Sequence, residues 1–142
     1  MKSAVLRAVA AAHAAEPLFV RTIRVPQLAP MTGDPSAKSE LVGVLNQSDL
    51  VQYQTGAVVS RTLVKKPGGT VTAFAFDAGE GLSEHTAPFD ALVLMVEGEA
   101  EVSVSGHAHR MKAGEILRLP AQQPHAVKAI TSFKMILVMI KA

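Results

Sequence analysis

At 142 residues the chain is about one domain long, with room for a single hydrophobic core. Its 14 Lys and Arg against 12 Asp and Glu give a net charge of +2, and with one Tyr, five Phe and no Trp it offers neither the basic surface nor the stacking rings of a nucleic-acid binder. The absence of cysteine excludes disulfides and thiolate metal sites, and no stretch approaches the roughly 18 to 20 apolar residues of a spanning helix, so the expectation is a soluble, cytoplasmic protein with no membrane partner.

Residues 1–15 are rich in alanine, but Arg7 and His13 interrupt the apolar stretch. That pattern suits a short helix better than an export signal. Leu18 to Val25 reads as a strand ended by Pro26, and Met31-Thr32-Gly33-Asp34-Pro35-Ser36 as a linker, with Met1 and Met31 both open as starts. Residues 1–35 are therefore expected to form an extension or linker and residues 36–142 one barrel domain.

From Leu41 onward short β-branched runs alternate with turn residues, the pattern of an antiparallel sandwich or barrel. Strands are expected over Leu50 to Tyr53, Ala57 to Val64 and Thr70 to Phe76, the last two joined by the turn at Pro67-Gly68. Ala91 to Val96, Glu99 to Ser105 and His107 to Lys112 follow, separated by Gly98 and Gly106. Ile116 to Leu119 stops at Pro120; His125 to Ile130 and Phe133 to Ile140 bring the count to about ten strands in two sheets. In Ala91 to Val96 and Met135 to Ile140 both alternations are apolar, so both faces should be covered, one by the core and the other by a second subunit in a homodimer.

Two glycine-led segments carry the chemistry. Five residues separate Gly79 from His85, and Gly98 closes that segment; five separate Gly114 from Pro120, and His125 follows. These resemble the paired motifs of the cupins, G-x5-H-x-H-x3-4-E-x6-G and G-x5-P-x-G-x2-H-x3-N. The resemblance covers about residues 58–139 and implies an all-β cupin jelly-roll barrel of two antiparallel sheets.

Cupins generally hold a divalent metal on three histidines and a glutamate. Only His85 and His125 match those positions; Ala87 and Ala91 stand at the other two, and Gln122 and Ala129 replace the second motif's glycine and asparagine. The resemblance thus implies at most a weakly held divalent transition metal (Zn, Ni, Fe, Cu or Mn) on two imidazoles, with a third donor from Glu80, Glu84, Gln122, Gln123 or solvent. The other reading makes His85 and His125 metal-free pocket residues.

In an unbroken strand, His85, Ala87, Phe89, Ala91, Val93 and Met95 would share one face and Asp90 would point away. Arg118 interrupts an apolar strand and either clamps an anion from inside or lies along the outer face. Glu84 is a candidate acid or base beside His85, or a solvent-facing loop residue. His107 and His109 share one strand face near a hairpin end and are expected to be exposed, while Met95, Met111, Met135 and Met139 fill the core. The pocket candidates are Glu84, Ala87, Phe89, Ala91, Arg118 and Gln123. The expected function is binding of a small organic molecule inside the barrel; the alternative is a metal-dependent oxygenase or isomerase acting on a small oxygenated substrate.

Overall fold

A computed structural model describes residues 22–24 and 43–141 of the chain. Ten strands appear in chain order: β1 (Thr22–Arg24), β2 (Val58–Lys66), β3 (Gly69–Phe76), β4 (Gly81–His85), β5 (Asp90–Glu97), β6 (Glu99–Val104), β7 (His107–Lys112), β8 (Ile116–Leu119), β9 (His125–Ala129) and β10 (Phe133–Ile140). They form a six-stranded sheet ordered β1-β2-β3-β10-β5-β8 and a four-stranded sheet ordered β4-β9-β6-β7. All pairs are antiparallel except β1 with β2, whose backbones run parallel with Thr22 opposite Val58. Part of the expected Leu18 to Val25 strand thus lies at the edge of the large sheet. The expected Ala-rich helix falls outside the described residues.

Turn chemistry sets the hairpins. Ser105 and Gly106 both have positive φ (50° and 81°), the conformation whose twist matches a two-residue β-hairpin, here joining β6 to β7. Gly98, between β5 and β6, has φ 79°, and a Cβ there would collide with the carbonyl oxygen of Ser132 and with Phe133. Only glycine satisfies both the backbone angle and the close approach.

Between the sheets lies one apolar cluster. Alternate residues of β5 (Ala91, Val93, Met95) and β10 (Phe133, Met135, Leu137, Met139) meet Leu82, Val102 and Val127 of the four-stranded sheet. Phe76 stacks on Phe133 with ring centroids 4.5 Å apart.

The outer face of the six-stranded sheet divides in two. Residues 46–53, expected in part as a strand, instead form a 3-10 turn (Gln47–Asp49) and a strap in which the consecutive Leu50 and Val51 are both buried, packing with Val59, Ala73 and Ala75. A strand would turn one of that pair to solvent. Polar bonds fasten the strap: Tyr53 Oη donates to Glu97 at 2.6 Å, the buried Lys134 Nζ donates to Ser48 O at 2.6 Å and lies 4.8 Å from the Tyr53 ring centroid, and the buried Arg61 donates to Leu50 O at 3.1 Å. Burial first, and then the Glu97 carboxylate, push the Tyr53 hydroxyl well above its usual pKa, so it stays a donor. The strap reaches Lys134 and Ile136 of β10 and Glu97 at the end of β5; the rest of this face, over β10, β5 and β8, has no such cover among the described residues.

Candidate functional site

The pairing of β4 with β9 slips between Leu82 and His85: Leu82 opposes Val127, and His85 opposes His125. Strict alternation would put Leu82 and Glu84 on one face and His85 on the other. The irregularity reverses the parity, so His85 turns inward beside His125 while Glu84 is exposed. On β9, His125, Val127 and Ala129 are buried on one face by ordinary alternation. The two imidazoles meet edge-on, centroids 4.3 Å apart and planes at 66°.

Each ring is oriented by its own chain two residues back. Nδ1 of His85 lies 3.0 Å from Ser83 O, and Nδ1 of His125 lies 3.2 Å from Gln123 O. A carbonyl only accepts, so both Nδ1 atoms carry the proton and both Nε2 atoms are the acceptor nitrogens. Burial depresses both pKa values, with the neighbouring His125 adding to the effect at His85 and the backbone carbonyls partly opposing it. Both rings are therefore neutral at pH 7, the state in which imidazole binds a metal or accepts a hydrogen bond.

Across from the pair, the large sheet contributes one cross-strand row. Thr70 pairs with Met139, Met139 with Ala91, and Ala91 with Leu119. The short link from His85 to Asp90 crosses between sheets, which puts this row at the same end of the barrel as the histidines. Met139, Ala91 and Leu119 are buried, and Thr70 Oγ1 is buried with no hydrogen-bond partner among the described residues. Nothing in the sequence motifs pointed to Thr70; the cross-strand register alone places it there.

Loops close this end. Gln122 N donates to Ala87 O at 2.7 Å, tying the loops of the two motifs together. Gln122 does so at φ 66°, a left-handed conformation that glycine adopts freely and glutamine does not. Gln123, exposed, accepts from Ser105 Oγ at 2.7 Å. Ala121 N donates to Asp90 Oδ1 at 2.8 Å.

The other sequence candidates separate accordingly. Ala87 is buried under the Gln122 bond, and Phe89 is half-buried against the inner cluster with Lys141 Nζ 5.3 Å from its ring centroid. Ala91 is inward but on the opposite sheet from His85, because the strand breaks between them. Arg118 is exposed on the outer face, 3.4 Å from Asp90, and does not enter the barrel. His107 and His109 are exposed on the edge strand β7. A groove of about 240 Å³ lined by Ser83, Glu101, Ser103 and Lys128 lies outside the four-stranded sheet, away from the imidazoles.

Among the described residues no three His, Cys, Asp or Glu side chains come together in a way that could hold a metal. The two imidazoles fit a metal as ligands, but the three-histidine, one-glutamate set implied by the sequence resemblance is not met.

The cupin domain family matches residues 73–141. No curated protein matches the chain. Solved structures do. A conserved protein of unknown function from Streptococcus pyogenes is 33% identical, with 71% of this chain and 89% of that one aligned at a TM-score of 0.68. A cupin superfamily protein from Desulfitobacterium hafniense is 25% identical over 71% of this chain and 93% of that one, TM-score 0.68. A cupin 2 conserved barrel domain protein from Leptotrichia buccalis is 43% identical over 68% of this chain, which spans 47% of its length, TM-score 0.66.

Proposed function

For a chain that belongs to the cupin family, we propose a binding role: the barrel takes a small, uncharged organic molecule bearing a hydroxyl or similar donor. The observation that carries this is the pairing of two neutral imidazole acceptors, His85 and His125, at the end of an apolar interior where the hydroxyl of Thr70 is buried without a partner among the described residues. The charged side chains that are buried among the described residues, Arg61 and Lys134, lie under the strap on the outer face. Among the described residues an anionic ligand would therefore meet no counter-charge inside. His85 and His125 also offer two Nε2 donors to a labile metal, a divalent ion such as Zn, Ni, Fe, Cu or Mn with solvent completing its shell. With a metal in place, polarisation of a substrate oxygen would support the second reading, an oxygenase or isomerase.

Thermal shift against matched phenols, alcohols and carboxylates tests the binding role. Neutral hydroxylated compounds should raise the melting temperature of the wild type, and His85→Gln with His125→Gln should abolish the rise. A preference for carboxylates would overturn it.

We assign the uncovered half of the outer face to a second copy of the chain. Leu92, Leu94 and Val138 are half-buried there, and Ile116 and Ile140 are 60% and 53% exposed. A two-fold axis would bring this apolar patch of both copies together and cover it. Light scattering should return the mass of a dimer at tens of micromolar, and Ile116→Lys with Leu94→Lys should return a folded monomer.

A further inference from the structure

We propose that the metal selected by the histidine pair is monovalent copper, with the thioether of Met139 as its third donor. The inference rests on the reading that His85 and His125 take a metal, and it departs from the divalent site that the family resemblance implies.

The donor inventory carries it. This end of the barrel presents two neutral imidazoles, one thioether and one hydroxyl. No carboxylate of the described residues is shown facing it: Glu84 is turned out by the irregularity in β4, and Asp90 is held outside by Ala121 N and Arg118. Hard divalent cations select oxygen donors, and the borderline ones bind best in full shells with compensating charge. Thioether and imidazole donors favour Cu(I), which is content with few ligands. Burial sharpens the choice. The cost of placing an ion in a medium of low dielectric constant grows as the square of its charge, so a dication is penalised about four times as heavily as a monocation where no counter-ion is present.

Placement supports the third donor. Met139 is buried, points into the inner cluster, and is the cross-strand partner of Ala91, the position where the resemblance expects a glutamate ligand. The alanine leaves room that a long, flexible thioether on the adjacent strand is suited to fill.

The test is an anaerobic Cu(I) titration of the full chain against a chromophoric Cu(I) chelator, with a parallel Zn titration. His107→Ala with His109→Ala serves as background, removing the exposed pair as a competing chelate. The expected result is one equivalent of Cu(I), held more tightly than Zn. Met139→Leu, a near-isosteric change, should weaken Cu(I) at least tenfold and leave Zn unchanged, while His125→Gln weakens both. X-ray absorption of the copper-loaded background protein should show a sulfur neighbour, a readout independent of whether the Met139 variant folds. Tighter Zn than Cu(I), full Cu(I) affinity in Met139→Leu, or a sulfur-free copper shell each overturn the soft site while leaving a two-histidine metal site standing. If neither metal binds, the metal reading itself falls, and the thermal-shift response to organic ligands then decides the binding role alone.

Discussion

At one end of the barrel Phe76 stacks on Phe133 and Phe74 approaches Phe76 to 6.0 Å; at the other lie an edge-on imidazole pair and, on the opposite sheet, a cross-strand row of threonine, methionine and alanine. Strands β3 and β10 run through both ends with unbroken inward alternation, and β5 keeps it from Ala91 to Met95. On these strands the difference is written in side-chain size and polarity; on β4 a register slip adds to it by turning His85 inward. The aromatic end spends its interior on close contacts that stabilise the fold. The imidazole end places small and polar groups where large apolar ones would pack better, the usual mark of a site.

Substitutions at the aromatic end should therefore be the most damaging. Phe133→Ala is expected to cost about 3–5 kcal/mol, the range for deleting a buried aromatic ring. Gly98→Ala, beneath the same residue, should cost a comparable amount, because its Cβ meets backbone of Ser132 and Phe133 that has little freedom to retreat. Urea unfolding measures both, with His125→Ala as the partner at the other end. A His125→Ala loss as large as that of Phe133→Ala would erase the division between the ends.

The next effect is a gain at the imidazole end. Ala87→His with Ala91→Glu restores the two ligands that the family pattern expects beside His85 and His125, and should tighten Zn binding by about two orders of magnitude, a modest part of the ~10–16 kcal/mol of full structural zinc sites. Overpacking works against it, since Ala91 is buried between Met139 and Leu119. Calorimetric titration with melting curves as a folding control is the measurement. A folded double variant with wild-type affinity would show that the break between β4 and β5 keeps position 87 or 91 out of reach of the histidines.

How much of this was legible in the sequence follows from the kind of signal involved. His107–Lys112, Ile116–Leu119 and Phe133–Ile140 have the bounds expected, the first set by the flanking Gly106, the second by Pro120 and the third by its apolar run. The motif spacing brought His85 and His125 together, as the sequence resemblance implies. Strand β4 was invisible because Gly81-Leu82-Ser83-Glu84-His85 has no β-branched residue and its register slips, so Leu82 and His85 face inward although three positions apart. Single-face alternation from His85 to Met95 failed for the related reason that the chain changes sheets between them. Thr70 and Met139 reach the site through long-range cross-strand register, which local periodicity does not encode. The strap was misread as a strand because Leu50 and Val51 look like strand residues until it is known that Tyr53 and Lys134 fasten them over the sheet.

Acid should separate the two ends again. The pKa values of His85 and His125 lie below the ordinary value of 6.5 in the folded state because burial disfavours the imidazolium. Below that value an unfolded chain takes up protons that the folded barrel refuses. Stability is therefore fully present above about pH 6.5 and declines as pH falls, until the folded-state pKa values are reached. Urea midpoints from about pH 7.5 to about pH 5 should show this slope, and His85→Gln with His125→Gln should flatten it. An unchanged slope in the double variant would assign it to groups elsewhere.

The smallest expected effect lies in the loop that closes the imidazole end. Gln122 occupies the left-handed region at φ 66° while its N–H ties the loop to Ala87. A left-handed L-residue costs about 1–2 kcal/mol, and glycine removes that strain but frees the unfolded chain by about 0.4–1 kcal/mol. Gln122→Gly should therefore raise stability by about 1 kcal/mol or less, a few degrees in melting temperature for a domain of this size. The backbone bond to Ala87 survives the change, since it uses the amide rather than the side chain. The same substitution at Gln123, which accepts from Ser105 through its side chain, should lower stability instead. If Gln122→Gly melts earlier than wild type, the glutamine side chain is contributing more to this end than its backbone strain removes, and the loop belongs with the built parts of the site rather than with its strained ones.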